Sequence, residues 1–180
     1  MLIIDVQNDY FENGKCRLHQ PEAALKAIQR LLKYFRDMNY QVYYIQHIAA
    51  KDAPFFVPNT EGVKSSENIK PLDTEKIIKK HYPNSFFETE LQAELKKSSV
   101  TELTVCGMMT HMCVDTTVRA AKDLGYQVTL ISDACATKDL EWQGEKIPAE
   151  IEQNVFLASL NQKFATIMTV EDLASEDLLI

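Results

Sequence analysis

Short apolar runs alternate with helix-period segments along the 180-residue chain. Leu2-Ile3-Ile4, Val42-Tyr43-Tyr44-Ile45, Lys76 to Lys80, Leu103-Thr104-Val105-Cys106, Gln127 to Ser132 and Phe164 to Met168 read as six strands. Between the first two, Leu25, Ile28, Leu31, Leu32 and Phe35 recur at helical spacing from Pro21 to about Met38. Further helices are expected after Thr89 as a cap, from near Thr110 to Gly125, and from about Ala149 to Leu160. Apolar runs without alternation belong to parallel strands covered on both faces. Strands alternating with helices imply right-handed crossovers. The expected architecture is α/β, a doubly wound, mostly parallel six-stranded sheet with helices on both faces. No repeat, low-complexity segment or linker breaks it, so residues 1–180 read as one domain. Residues 49 to about 74, with Pro54, Pro58, Gly62 and Pro71, form a long irregular stretch of the kind that serves function or a subunit contact.

Composition narrows the class. The chain is 46% apolar and 25% charged with five Gly and six Pro, a globular balance. Its net charge of −7 comes from dispersed acids and argues against nucleic acid or an anionic membrane as partner. No long apolar segment or leader pattern occurs, so a cytoplasmic protein acting on a small-molecule substrate is expected. The first strand opens almost at Met1, which leads us to expect residues upstream of it. The four cysteines, Cys16, Cys106, Cys113 and Cys135, match no zinc spacing. Cys106 reads as core, and Cys16 and Cys135 as loop residues.

Chemistry gathers where strands end. Cys113 falls in the first turn of the helix that follows the Leu103–Cys106 strand and the Gly107 turn. There the helix dipole and unpaired N–H groups favour a thiolate and can hold an oxyanion. Asp5 and Lys80 also stand at strand ends, where open α/β sheets bind ligands. An acid, a cation and a thiol brought to one crevice would form a nucleophilic site. Each also has a bland reading, as a turn cap, a solvated lysine and a packed helix start.

Three segments carry a resemblance: Leu2 to Asp9 (LIIDVQND), Lys80 to Phe86 (KHYPNSF) and Gly107 to Val114 (GMMTHMCV). In this order they resemble the isochorismatase-like cysteine hydrolases, a superfamily with a Rossmann-like fold that includes nicotinamidases, carbamoylsarcosine-type amidases and isochorismatases. The resemblance covers nearly the whole chain. Asp133 to Thr137 is similar to the family's segment after the fifth strand. The resemblance implies Asp5 as general base, Lys80 as supporting cation and Cys113 as nucleophile. It also implies a cis peptide between Met108 and Met109, with the backbone N–H groups of Met109 and Cys113 as the oxyanion hole. No cofactor is implied.

The chain departs from the nicotinamidase branch at its metal site, an Asp-x-His pair with a further histidine. Here Gln46-His47-Ile48 offers one histidine, so no metal is expected, and His47 reads as a pocket-lining or structural residue. Tyr10, Phe11, His47, Phe86 and Trp142 are the expected substrate-binding residues. Phe55 and Phe56 suit the pocket, the core or a subunit contact, and His111 could face the pocket or a neighbouring subunit. The resemblance implies a homo-oligomer, dimer or tetramer. The leading activity is metal-independent amidase chemistry on a small carboxamide or carbamoyl compound. Vinyl ether hydrolysis of the isochorismatase type is a second reading, and a thiol redox or binding protein a third.

Overall fold

In the computed structural model, which describes residues 1–177, six of the strands join one sheet: β1 (Leu2–Ile4), β2 (Tyr43–His47), β3 (Lys76–Lys80), β4 (Glu102–Met108), β5 (Gln127–Ala136) and β8 (Thr166–Met168). Their spatial order is β3-β2-β1-β4-β5-β8, and every neighbouring pair is parallel. Chain order reverses between β1 and β4, so the switch point lies at the centre of the sheet, the place beyond whose strand ends open α/β sheets bind ligands.

Side-chain alternation explains the two layers. Ile3 and Tyr44 face a cluster with Ile28, Leu31 and Leu32 of α1 (Pro21–Asp37) and Val170 of α5 (Val170–Asp177). Leu2, Ile4, Tyr43, Ile45 and Val105 face the opposite cluster. There they meet Leu91 and Leu95 of α2 (Leu91–Lys97), Val118 and Ala121 of α3 (Asp115–Asp123) and Leu160 of α4 (Ala149–Leu160). Burial of β1 on both faces is why its sequence reads as an unbroken apolar run.

The expected α/β sheet with helices on both faces is the observed fold, and its sheet is wholly parallel. Several local expectations change. β5 runs on through Asp133–Ala136 because the β4–β5 register shifts between Val105 and Gly107, bringing Cys135 opposite Gly107. Cys135 is therefore a buried strand residue and not a loop residue. Leu140–Trp142 (β6) and Glu145–Ile147 (β7) form a two-stranded hairpin that the sequence pattern did not mark. Thr89 caps from just outside the helix: its Oγ1 accepts the Leu91 N–H at 3.3 Å and donates to the Ser85 carbonyl at 2.6 Å. The segment after β4 opens as a π turn, Thr110–Val114, before α3 begins.

Gly107 is the closest approach of the two central strands. Its φ is +129°, and a Cβ built there would lie 2.1 Å from the carbonyl oxygen of Ile4. Both the backbone conformation and the space demand glycine. We expect Gly107→Ala to lower stability by about 2–4 kcal/mol, because the clash is with backbone that cannot step aside. Urea unfolding monitored by circular dichroism would measure it, and a loss below about 0.5 kcal/mol would show that the β1–β4 contact yields easily.

Candidate active site

Asp5 follows β1 directly, its N–H bonded to the Ile45 carbonyl at 3.1 Å. Its φ is +51°, a left-handed conformation that aspartate tolerates better than bulky residues do. Lys80 closes β3, where alternation sends Ile78 and Lys80 inward and Ile77 and Lys79 outward. The β2–β3 register pairs His47 with Lys80. Cys113 enters from the π turn after β4, and the Met108–Met109 peptide between that strand and the turn is cis. The adjacency of β3, β2, β1 and β4 thus delivers four candidate side chains, Lys80, His47, Asp5 and Cys113, to one place.

Lys80 Nζ lies 2.8 Å from Asp5 Oδ2, and both side chains are 0% exposed. The ammonium also donates to the Pro83 carbonyl at 3.1 Å and stands 3.4 Å from His47 Nδ1. Ligand atoms of Asp5, His47 and Cys113 all lie within 4.8 Å of one another. Beyond this cluster, the Asp5 carboxylate has no hydrogen-bond partner among the described residues, so its oxygens keep free capacity to take a proton.

Electrostatics assign the resting charges. Burial alone would lower the Lys80 ammonium, but the Asp5 carboxylate, aided by the Cys113 sulfur, holds it above its ordinary value. Burial, followed by the Asp5 charge, pushes the Cys113 thiol well above its ordinary value, and Lys80 opposes without reversing this. The expectation of a resting thiolate is therefore corrected: desolvation outweighs the helix terminus, and Cys113 rests as a neutral thiol. Its proton faces a carboxylate able to accept it. Burial also holds His47 below its ordinary range. Because the ammonium has only donors, His47 Nδ1 must accept, which leaves the imidazole proton on Nε2.

Asp5, His47 and Cys113 include the donor types of a zinc site, but Lys80 stands among them. A divalent ion there would face an ammonium paired to one of its own ligands. The residues do not suit a metal.

Of the expected substrate-binding residues, Tyr10 is buried, and its hydroxyl is held well above its ordinary value by burial and then by Asp5 and Cys113. Its ring meets Phe56 edge-on at 4.6 Å, and Phe56 lies 6.0 Å from the His47 ring. Phe11 packs half-buried beside them. Two residues are corrected. Phe86 stacks on Tyr126, just ahead of β5 at the opposite end of that strand, within the α2/α3 layer. Trp142 is 70% exposed on the β6–β7 hairpin and packs into no core cluster among the described residues. His111 faces neither pocket nor solvent, because its ring turns into α4.

Gln7 and Asp9 are polar residues that follow the first strand, yet both are buried. Gln7 exchanges hydrogen bonds with the His47 backbone at 2.8 and 2.9 Å and donates to the Val63 carbonyl at 2.8 Å. Asp9 accepts the Phe56 N–H at 2.7 Å and the Lys15 N–H at 3.1 Å. Its carboxylate fills the space where Gly62 lacks a Cβ. These two side chains fasten the long 49–74 stretch over the site. Polar residues spaced closely after a strand-end acid were the only signal for them.

A buried acid–cation–thiol cluster at the switch point of a parallel sheet is the arrangement of a hydrolytic α/β enzyme. Residues 1–172 match the isochorismatase domain model, and the chain belongs to the isochorismatase family of hydrolases. It is 48% identical over 172 residues to YddQ of Bacillus subtilis (strain 168), an uncharacterized isochorismatase family protein, covering 95% of this chain and 96% of that one. The crystal structure of an isochorismatase from Pseudomonas putida KT2440 superposes with a TM-score of 0.90 at 34% identity, covering 94% of this chain and 87% of that one. A streptothricin hydrolase of Streptomyces noursei is 34% identical over 142 residues, 78% of this chain and 50% of that protein.

The neutral thiol has a direct consequence for labelling. The rate of iodoacetamide modification at Cys113, mapped by mass spectrometry, should climb with pH past roughly 8.5, the ordinary thiol value, without levelling off. Asp5→Asn removes the carboxylate that raises the thiol and should speed labelling at fixed pH. A plateau near neutral pH in the unaltered protein would contradict the charge assignment.

Proposed function

We propose that this chain is a cysteine amidohydrolase that cleaves a small carboxamide or carbamoyl C–N bond through a thioester on Cys113. The observation that carries the reading is the fully buried Asp5–Lys80 pair, 2.8 Å apart, set against a neutral cysteine. Asp5 takes the Sγ proton as the sulfur attacks the carbonyl carbon. The oxyanion is held by the backbone N–H groups of Met109 and Cys113, each such donor being worth about 10²–10³ in rate. Protonated Asp5 passes its proton to the departing nitrogen as the C–N bond breaks. Asp5 then takes a proton from water, whose oxygen attacks the thioester, and the thiolate leaves and is reprotonated. Lys80, paired to Asp5, offsets the charge that develops on sulfur. Tyr10 and Phe11 supply an apolar wall, and the Nε2–H of His47 a donor for the substrate.

Two features support amide over vinyl ether chemistry. The isochorismate dianion would call for basic side chains, yet Lys80 is already paired, Arg17 and Lys51 are exposed, and Lys138 alone is half-buried, near Cys16. Vinyl ether cleavage has no use for the thiol. The similarity to a streptothricin hydrolase agrees with hydrolytic chemistry.

Ammonia release across a panel of small carboxamides tests the reading. The unaltered protein should turn over at least one of them, and Cys113→Ala should lower that rate by about 10³ or more. Cleavage of isochorismate that persists in Cys113→Ala, with no carboxamide turned over, would overturn it in favour of the vinyl ether reaction.

A further inference from the structure

The π turn that presents Cys113 is fastened to α4 at two consecutive residues. Thr110 Oγ1 donates to Gln153 Oε1 at 2.6 Å, and His111 Nδ1 lies 3.0 Å from Glu152 Oε1 and 2.7 Å from Thr137 Oγ1. The His111 and Glu152 side chains are 7% and 1% exposed. The hydrogen bond of His111 Nδ1 goes to Thr137, and the 3.0 Å approach to Glu152 is a close contact only: neither Glu152 carboxylate oxygen has a hydrogen-bond partner among the described residues. A lone buried carboxylate is costly to keep, and two apolar side chains would fill the same space at less cost. What an apolar pair lacks is direction.

We infer that His111 and Glu152 form a positioning latch for the nucleophile: the buried imidazole, hydrogen-bonded to Thr137 and 3.0 Å from the Glu152 carboxylate, holds residues 110–114 in the π register that points Cys113 at Asp5. The inference rests on the reading of Cys113 as nucleophile. A π turn holds one more residue than an α turn, and such turns recur at functional sites. If the turn relaxed into the α helix that follows, each side chain in it would rotate by about 100° per residue of slip. The Cys113 sulfur would then leave the carboxylate that must take its proton. A misplacement of about 1 Å in such sites already costs roughly 10²-fold in rate. His111 and Glu152 are positioning residues here, acting through the turn.

The decisive variant replaces both partners, His111→Leu with Glu152→Leu, which removes direction while filling the volume. We expect thermal unfolding at or above that of the unaltered protein, kcat lowered at least tenfold with KM within threefold, and iodoacetamide labelling of Cys113 raised at least threefold relative to Cys16. A folded double variant with kcat and the labelling ratio both within twofold of the unaltered protein would overturn the latch. Should it not fold, Glu152→Gln, which keeps a polar side chain of the same shape beside His111, is compared with Glu152→Ala. The latch predicts that Gln keeps kcat and the labelling ratio within twofold of the unaltered protein, while Ala lowers kcat at least tenfold and raises the ratio at least threefold; equal values in the two variants refute it. If no carboxamide is turned over by the unaltered protein, the proposed reaction fails, and the labelling ratio alone still decides the latch.

Discussion

The site depends on one buried ion pair. Removing a carboxylate and an ammonium from water costs several kcal/mol per ion, and only close, well-satisfied contact offsets it. Asp5 and Lys80 meet that condition at 2.8 Å, with the Pro83 carbonyl taking a further ammonium proton. The pair constrains the sheet around it. Lys80 stands on β3, two strands away from Asp5, so β2 must lie between them and end in a residue that tolerates an ammonium. His47, with Nδ1 accepting, is such a residue. Gly107 lets β4 come close enough on the other side to bring Cys113 to the same carboxylate.

The charge pattern also explains why the cysteine needs a partner to react. A buried thiol near a carboxylate has no reason to ionise at rest, and all four thiols here are raised by burial. What separates Cys113 from Cys106 and Cys135 is its neighbours. The Asp5 carboxylate stands within 4.8 Å of its sulfur, and in the proposed reaction it would take the thiol proton while the Lys80 ammonium offsets the charge on sulfur. Such a site suppresses adventitious thiolate chemistry and spends its electrostatics during the transfer.

The parts of this arrangement that were legible in the sequence are those a parallel sheet writes locally. Strands buried on both faces give unbroken apolar runs, and a charged residue closing such a run stands at the ligand-binding edge. Asp5 and Lys80 were readable on that ground, and the resemblance added their order. Cys113 was readable by position but not by ionisation, because its burial comes from elements distant in sequence. The hairpin around Trp142 is short and polar and has no core face to impose a pattern. The extension of β5 through Cys135 depends on a register shift against β4, which no single segment encodes. Gln7, Asp9, His111 and Glu152 look like solvated residues until the fold buries them. Polar anchors of this kind are specified by distant partners, 40 residues away for Gln7 and His47, 47 for Asp9 and Phe56, and 26 for His111 and Thr137.

The most direct test of the account is acid quenching of the protein during turnover of a carboxamide, followed by intact and peptide mass spectrometry. The account predicts a transient mass increase equal to the substrate's acyl group, located on Cys113. Steady turnover with the acyl group on any other residue would contradict it.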